Sequence, residues 1–382
     1  MKESRHYEMV DLKGQYFKIK DQIDKEVIKT FESSQFIGGS HVIEFEKSLE
    51  DFLDVKHVIS CGNGTDALQI ALMSLNLSQG DEVIVPAFSY IAAAEVVSLL
   101  GLKLVLVDVN LDDFNMNLSH LKKQITSKTK VIIPVHLFGQ GSQMEELLNI
   151  ASKHNLFIIE DNAQAFGSEF IMKSGAKKKY GTIGNIGCTS FFPTKNLGCY
   201  GDGGAIMTND DTLAEKIKMI ARHGQIKKYH HHLLGCNSRL DSVQACILKI
   251  KLKNLENYNR NRFEAANFYS KNLECLPEII TPSEKVFSSH VYHQYTLRIL
   301  NNKRDSLKEF LKTKGIESMI YYPLPIYKQK VFSNLFPKGL KFTNTNKLCK
   351  QVLSLPMHTE LTNEIQEYII KYIIEFYNTN NN

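Results

Sequence analysis

Lys195 stands in Thr189-Ser190-Phe191-Phe192-Pro193-Thr194-Lys195-Asn196-Leu197-Gly198, after aromatic and apolar residues and before the glycine-rich Cys199-Tyr200-Gly201-Asp202-Gly203-Gly204. An enclosed, low-dielectric site removes part of a lysine's preference for the charged state. The neutral amine is a nucleophile, and the reaction that most often uses one is Schiff-base formation with a carbonyl such as pyridoxal phosphate. Other residues suit the same chemistry. In Cys61-Gly62-Asn63-Gly64-Thr65-Asp66-Ala67-Leu68, after the strand-like His57-Val58-Ile59-Ser60, glycine and the free amides of a helix start form a phosphate cradle. An ordinary cap by Asn63 or Thr65 explains that stretch equally well. Asp161, in Glu160-Asp161-Asn162-Ala163-Gln164-Ala165, ends a strand. A buried carboxylate there needs a cation, and a protonated pyridine nitrogen is one; a helix cap is the plainer reading of this segment alone. Tyr90, in Pro86-Ala87-Phe88-Ser89-Tyr90, suits stacking on a planar ring or packing in a core. Arg239, in Gly235-Cys236-Asn237-Ser238-Arg239-Leu240-Asp241, suits gripping a carboxylate or phosphate, or pairing with Asp241.

The elements that must position these residues alternate between strand and helix. Asp81 to Pro86, Lys103 to Asp108, Lys130 to Val135 and Leu156 to Asp161 are short runs apolar on both faces, as buried parallel strands are. Helical periodicity fills Asp66 to Leu75, Ile91 to Leu100 and Met144 to His154. The alternation predicts an open α/β fold with its ligand beyond the carboxyl ends of the strands. Asp108, His136 and Asp161 mark that edge as the candidate site. A long charged helix is expected over Leu248 to Arg262. Beyond it lies a smaller α+β unit, with strands at Tyr292 to Leu300 and Ser318 to Tyr322 and helices at Asp305 to Lys314 and Glu364 to Phe376. We therefore expect a large domain over residues 1–255, a small one over 256–382, and a tail that frays from Asn378.

Composition removes several classes. A chain of 382 residues with 43% apolar and 23% charged residues is globular, and no apolar run reaches bilayer length. The polar start Met1-Lys2-Glu3-Ser4-Arg5-His6 has no signal-peptide character, so a cytoplasmic protein without a membrane partner is expected. Its net charge of +5 is mild and scattered, which suits an anionic small ligand and not nucleic acid. The seven cysteines include no C-x-x-C pair and read as buried thiols in a reducing compartment. The run Tyr229-His230-His231-His232 has no carboxylate or Cys at ligand spacing, so no metal is expected. No G-x-G-x-x-G follows the first strand, against a nicotinamide dehydrogenase.

The ordered set Asn63-Gly64-Thr65-Asp66-Ala67-Leu68, Pro134-Val135-His136-Leu137-Phe138-Gly139-Gln140, Glu160-Asp161-Asn162-Ala163-Gln164, Ser190 to Gly204 and Asn237-Ser238-Arg239-Leu240-Asp241 resembles the DegT/DnrJ/StrS family of nucleotide-sugar aminotransferases. The resemblance covers nearly the whole chain. It implies a type I pyridoxal 5'-phosphate fold, with a mostly parallel central sheet, and a homodimer with shared active sites. It assigns Lys195 as the lysine that bonds the cofactor and shuttles the proton. Asp161 would hold the pyridine nitrogen, Gln164 the ring hydroxyl, and Tyr90 the ring face. Gly64, Thr65 and Ser190 would hold the phosphate, with Asn237 arriving from the other subunit. Family members usually carry Ala where this chain has Asn162, which reads as an extra amide near the ring. Within the family the likeness is greatest to enzymes that aminate C3 of UDP-linked 3-oxo-N-acetylglucosaminuronic acid. It rests also on Arg222-His223-Gly224-Gln225 and Tyr229-His230-His231. In those enzymes the arginine matching Arg239 and a His-Tyr-Pro segment bind the sugar. This chain keeps Arg239, Tyr322 and Pro323 but has Tyr321 for the histidine, which weakens the case for a uronate. The resemblance implies a UDP-linked 3-keto-N-acetylhexosamine, uronic or neutral, as acceptor and L-glutamate as donor, in surface polysaccharide or lipid A biosynthesis. A dTDP-3-keto-6-deoxyhexose aminotransferase and a regulatory or sensor protein on the same fold are the alternatives. Relatives that dehydrate deoxysugars carry histidine at the lysine position, and Lys195 argues against that reaction.

Overall fold

The computed structural model describes residues 6–379 of the chain. Two helices come first, α1 (Leu12–Ser33) and α2 (Ser40–Leu53). α2 buries Val42, Phe45, Leu49 and Leu53, one apolar stripe at helical spacing. β1 (His57–Cys61) then runs into α3 (Gly64–Ser74). The four expected strands follow as β2 (Glu82–Pro86), β3 (Lys103–Val107), β4 (Thr129–Ile132) and β5 (Phe157–Asp161). The expected helices lie between them as α4 (Ala92–Leu99) and α5 (Met144–His154). β6 (Ile186–Ser190) and β7 (Gly204–Thr208) complete a seven-stranded sheet in the order β1-β7-β6-β5-β4-β2-β3. β7 runs antiparallel to both neighbours, and the other neighbouring strands pair in parallel.

The sheet is apolar on both faces because both are covered. Val83, Val85, Val131 and Ile159 join Leu68, Ala71 and Val97 of α3 and α4 in one core. Their strand neighbours Ile84, Ile132 and Ile158 point the other way, against Leu147 and Ile150 of α5. Six strands therefore end at one edge, where Cys61, Pro86, Asp161 and Ser190 hand over to loops.

The chain then enters α6 (Ser242–Leu252) and α7 (Leu255–Leu273). These replace the single helix expected over Leu248 to Arg262. The side-chain amide of Asn254 donates to the Ile250 carbonyl (3.2 Å), taking a helix-end acceptor and breaking the run. α7 packs with α8 (Arg304–Thr313) and α9 (Asn363–Thr379) on a second, antiparallel sheet of β8 (Ile279–Ile280), β9 (Tyr295–Ile299) and β10 (Val352–Leu355). Tyr269, Leu297, Leu307, Leu353, Ile369 and Ile373 form its core. Ser318 to Tyr322 is not a strand. It makes one bridge to β10, Met319 to Ser354, and Pro323 and Pro325 follow, which have no amide to continue a ladder. α9 stays helical through Thr379, beyond the expected fraying point, and the remainder of the tail lies outside the described residues. All seven cysteines are free, but Cys275 is exposed and Cys236 half-buried, so not every thiol belongs to a core. The histidine run lies in an exposed hairpin formed by Gln225–Lys227 and His230–His231. Among the described residues, no helix is long and apolar enough to cross a membrane.

Candidate active site

The turn Phe192 to Gly198 carries Lys195 beyond the end of β6. The Lys195 amide donates to Phe192 carbonyl (2.8 Å), and Asn196 Nδ2 donates to Val291 carbonyl (2.9 Å) and Asn259 Oδ1 (2.7 Å). Lys251 Nζ donates to Gly198 carbonyl (2.7 Å) at the turn's far end. The lysine thus projects from a turn tied at several points. Burial of its amine pushes the pKa down to about 8, and the Asp161 charge pulls it partway back.

Asp161 is the last residue of β5. Its backbone is locked to the loop after β4, amide to Pro134 carbonyl (2.9 Å) and carbonyl from the His136 amide (3.0 Å). Its Oδ1 accepts from the Ala163 amide (3.1 Å). Burial pushes the carboxyl above its usual range, and the Ala163 amide and the Lys195 charge oppose that. Gln164 follows one turn on. Its Oε1 accepts from the Phe138 amide (2.8 Å), and its Nε2 donates to the Tyr322 hydroxyl (3.0 Å), which leaves one amide hydrogen free. Phe138 and Gly139 form a turn of positive φ on which the second unit docks. A side chain on Gly139 would meet the Tyr292 and His293 amides at 2.7 and 2.8 Å, so only glycine fits.

The cradle forms where α3 begins. Asn63 Oδ1 caps it by accepting from the Asp66 amide (2.8 Å), which leaves the Gly64 and Thr65 amides without intrahelical acceptors. The cap therefore does not exclude a phosphate cradle, because those two amides remain available. Gly64 faces β6 so closely that an added Cβ would lie 2.7 Å from Ser190 Cβ. Among the described residues, Ser190 Oγ accepts only from the Phe192 amide (3.2 Å). Tyr90 is exposed and lies 6.2 Å, ring centre to ring centre, from Tyr322. Tyr321 packs beside Tyr322, 5.9 Å away by the same measure.

These residues gather at one edge. Asn237 and Arg239 stand apart, both exposed on the loop before α6. Among the described residues Arg239 makes no ion pair with Asp241. Ser238 between them donates to Asp66 Oδ2 (2.6 Å) and accepts from the Gly62 amide (2.8 Å), fastening the loop to the start of α3. Two readings need correction. Asp108 caps the helix Thr343–Gln351, accepting from the Asn344 and Thr345 amides (3.0 and 2.8 Å), and so ties the end of β3 to that helix. Asn162 is fully buried and donates its side-chain amide to Tyr180 carbonyl (2.7 Å), so that amide supports the turn at Tyr180. The sequence reading missed Ser238 and the role of Phe138. Both act through contacts between segments far apart in the chain, though each sits in a motif already singled out.

A family match spans residues 18–374, to the DegT/DnrJ/EryC1/StrS aminotransferase family. The chain belongs to this family. It is 45% identical over 354 residues, 93% of its length and 96% of the relative's, to UDP-2-acetamido-2-deoxy-3-oxo-D-glucuronate aminotransferase of Pseudomonas aeruginosa. It is 40% identical to UDP-N-acetyl-3-dehydro-alpha-D-glucosamine 3-aminotransferase of Acidithiobacillus ferrooxidans, over 93% of this chain and 94% of the other. A Geobacillus stearothermophilus relative named pleiotropic regulatory protein is 44% identical, over 97% and 98% of the two chains. Among solved structures, DesV of S. venezuelae superposes with a TM-score of 0.93 at 34% identity, covering 97% of this chain and 98% of that one. This DegT-family chain is a sugar aminotransferase dependent on pyridoxal phosphate.

The residues present fit that cofactor. Asp161 is a buried carboxylate with one protein donor, as a ring-nitrogen partner should be. Gly64 has no room for a side chain against Ser190, and the Gly64 and Thr65 amides have no intrahelical acceptor, as amides that hold a phosphate require. Lys195 has a depressed pKa and a carboxylate near enough to act on it.

Proposed function

We propose that this aminotransferase transfers the amino group of L-glutamate to C3 of a UDP-linked 3-keto-N-acetylhexosamine. The observation that carries the reading is the 45% and 40% identity, across nearly the whole chain, to two enzymes named for 3-oxo UDP-amino sugars. When bound, pyridoxal phosphate supplies the carbonyl that takes up the amino group and the ring that accepts the electron pair left on the substrate carbon. Lys195 would hold the cofactor, and its amine, whose pKa burial lowers, would remove and return the proton at the substrate carbon. Asp161 holds the ring nitrogen, Gln164 offers its remaining amide hydrogen to the ring hydroxyl, and Tyr90 covers the ring face. Gly64, Thr65 and Ser190 hold the phosphate.

Asn237 and Arg239 serve the other subunit in this reading. The bridge between Ile37 and Asp241 and the Ser242 amide's bond to Phe36 carbonyl (2.9 Å) set Phe36 and Ile37 beside their loop. Both apolar side chains are exposed, as is Leu234, so a second copy covering them would receive Asn237 and Arg239. Arg239, Tyr321 and Tyr322 contact the sugar. The large and small domains divide at 255/256, beside the break at Asn254. The enzyme works in the cytoplasm on precursors of lipopolysaccharide or another surface glycan.

Incubating the holoenzyme with glutamate and a panel of UDP- and dTDP-linked 3-keto and 4-keto sugars, with mass spectrometry of the products, tests the acceptor. Amination of a UDP-linked 3-keto-N-acetyl sugar is expected, and product from a dTDP-6-deoxy sugar alone would overturn the assignment. Arg239→Ala, assayed on uronate and neutral acceptors, tests the carboxylate contact. A larger loss on the uronate is expected; equal loss on both would remove that role.

A further inference from the structure

Glu160 and Asp161 are neighbours on β5 and so point to opposite faces of the sheet. Asp161 serves the site. Glu160 is fully buried on the far side, where an anion without partners is costly. It is fully engaged instead. Its oxygens accept from the Gly181 (2.9 Å), Ile183 (2.7 Å) and Gly184 (2.7 Å) amides and from His136 Nε2 (2.9 Å). His136 is also fully buried. Its Nδ1 accepts from the Ser142 amide (3.1 Å), which leaves the ring proton on Nε2, facing Glu160. The Tyr180 ring lies 4.5 Å from the imidazole, and its hydroxyl donates to Ser142 carbonyl (3.0 Å). The same His136 that grips Glu160 by its side chain grips Asp161 by its backbone amide (3.0 Å).

We propose that His136 and Glu160 are a positioning pair that fixes the Asp161 carboxylate under the cofactor's ring nitrogen. The imidazole ties the loop after β4 to the end of β5, and the three amides tie β5 to the 181–184 turn. Asp161 then has no backbone freedom with which to turn away, so its bond to the ring nitrogen costs no reordering. Neither side chain touches the cofactor. The inference rests on Asp161 as the ring-nitrogen partner.

The test is equilibrium binding of pyridoxal phosphate, and of its analogue with carbon in place of the ring nitrogen, to apoprotein. Asp161→Asn comes first. It should weaken pyridoxal phosphate by roughly tenfold or more and the analogue far less. Equal effects on both ligands would overturn the Asp161 reading itself. His136→Leu should copy that selective loss, His136→Gln should recover part of it, and His136→Leu added to Asp161→Asn should do no further harm. Glu160→Gln, which keeps the volume, should show the same selectivity if His136→Leu does not fold. An equal loss for both ligands, or none, in the His136 and Glu160 variants would overturn the pair's positioning role while leaving Asp161's intact.

Discussion

The chemistry of the chain depends on the state of one amine. Burial sets Lys195 at about 8, where an ordinary lysine titrates near 10.4. Below that value the amine is protonated and inert; above it, neutral and nucleophilic. The rate at which apoprotein captures pyridoxal phosphate should therefore rise about tenfold per pH unit and level off near pH 8. A rate still climbing past pH 9.5 would show an unperturbed lysine. Lys195→Ala should abolish turnover and the visible absorbance of the lysine-bound cofactor, and full activity in that variant would sink the assignment. Lys195 and Asp161 stood out in the sequence because their local setting is unusual, a lysine among aromatics and an acid closing an apolar strand, and the fold brings their charges within reach of one another. Asn162 was misread because its side chain answers to Tyr180, eighteen positions away, which no local pattern announces.

At the scale of elements, the site is assembled by strands that stop together. The apolar runs of β2 to β5 were legible because burial on both faces leaves no polar position to blur them. The failures have local causes too. Asn254 broke an expected helix through a side-chain bond, and the residues before Pro323 lost their ladder to a single bridge. Asp108 looked like its neighbours at the strand edge, yet it caps the helix Thr343–Gln351, far along the chain, a contact only tertiary structure creates. The α3 start combines a cap and a cradle, and the two separate by mutation. Asn63→Ala should cost about 1 kcal/mol in urea unfolding of the apoprotein, as lost caps do. Gly64→Ala places a carbon 2.7 Å from Ser190 Cβ and should weaken pyridoxal phosphate more than pyridoxal, which lacks the phosphate. Equal weakening would move the phosphate site elsewhere.

At the scale of the molecule, the proposed second chain would use the exposed Asn237 and Arg239. Coexpression of Lys195→Ala with Asn237→Asp chains tests this. Each variant alone should be inactive or nearly so, because the first lacks the amine and the second sets an acid against the phosphate. The mixed dimer should regain one working site, so a random mixture returns roughly a quarter of the wild-type activity. No recovery would place each site within one chain. The proposed reaction transfers an amino group from glutamate to a 3-keto UDP-amino sugar. Its most direct measurement follows the visible absorbance of the bound cofactor. Glutamate alone should bleach it, and the 3-keto UDP-amino sugar should then restore it as the 3-amino product accumulates. A spectrum that glutamate leaves unchanged, or that only a sugar of another class restores, would contradict the account.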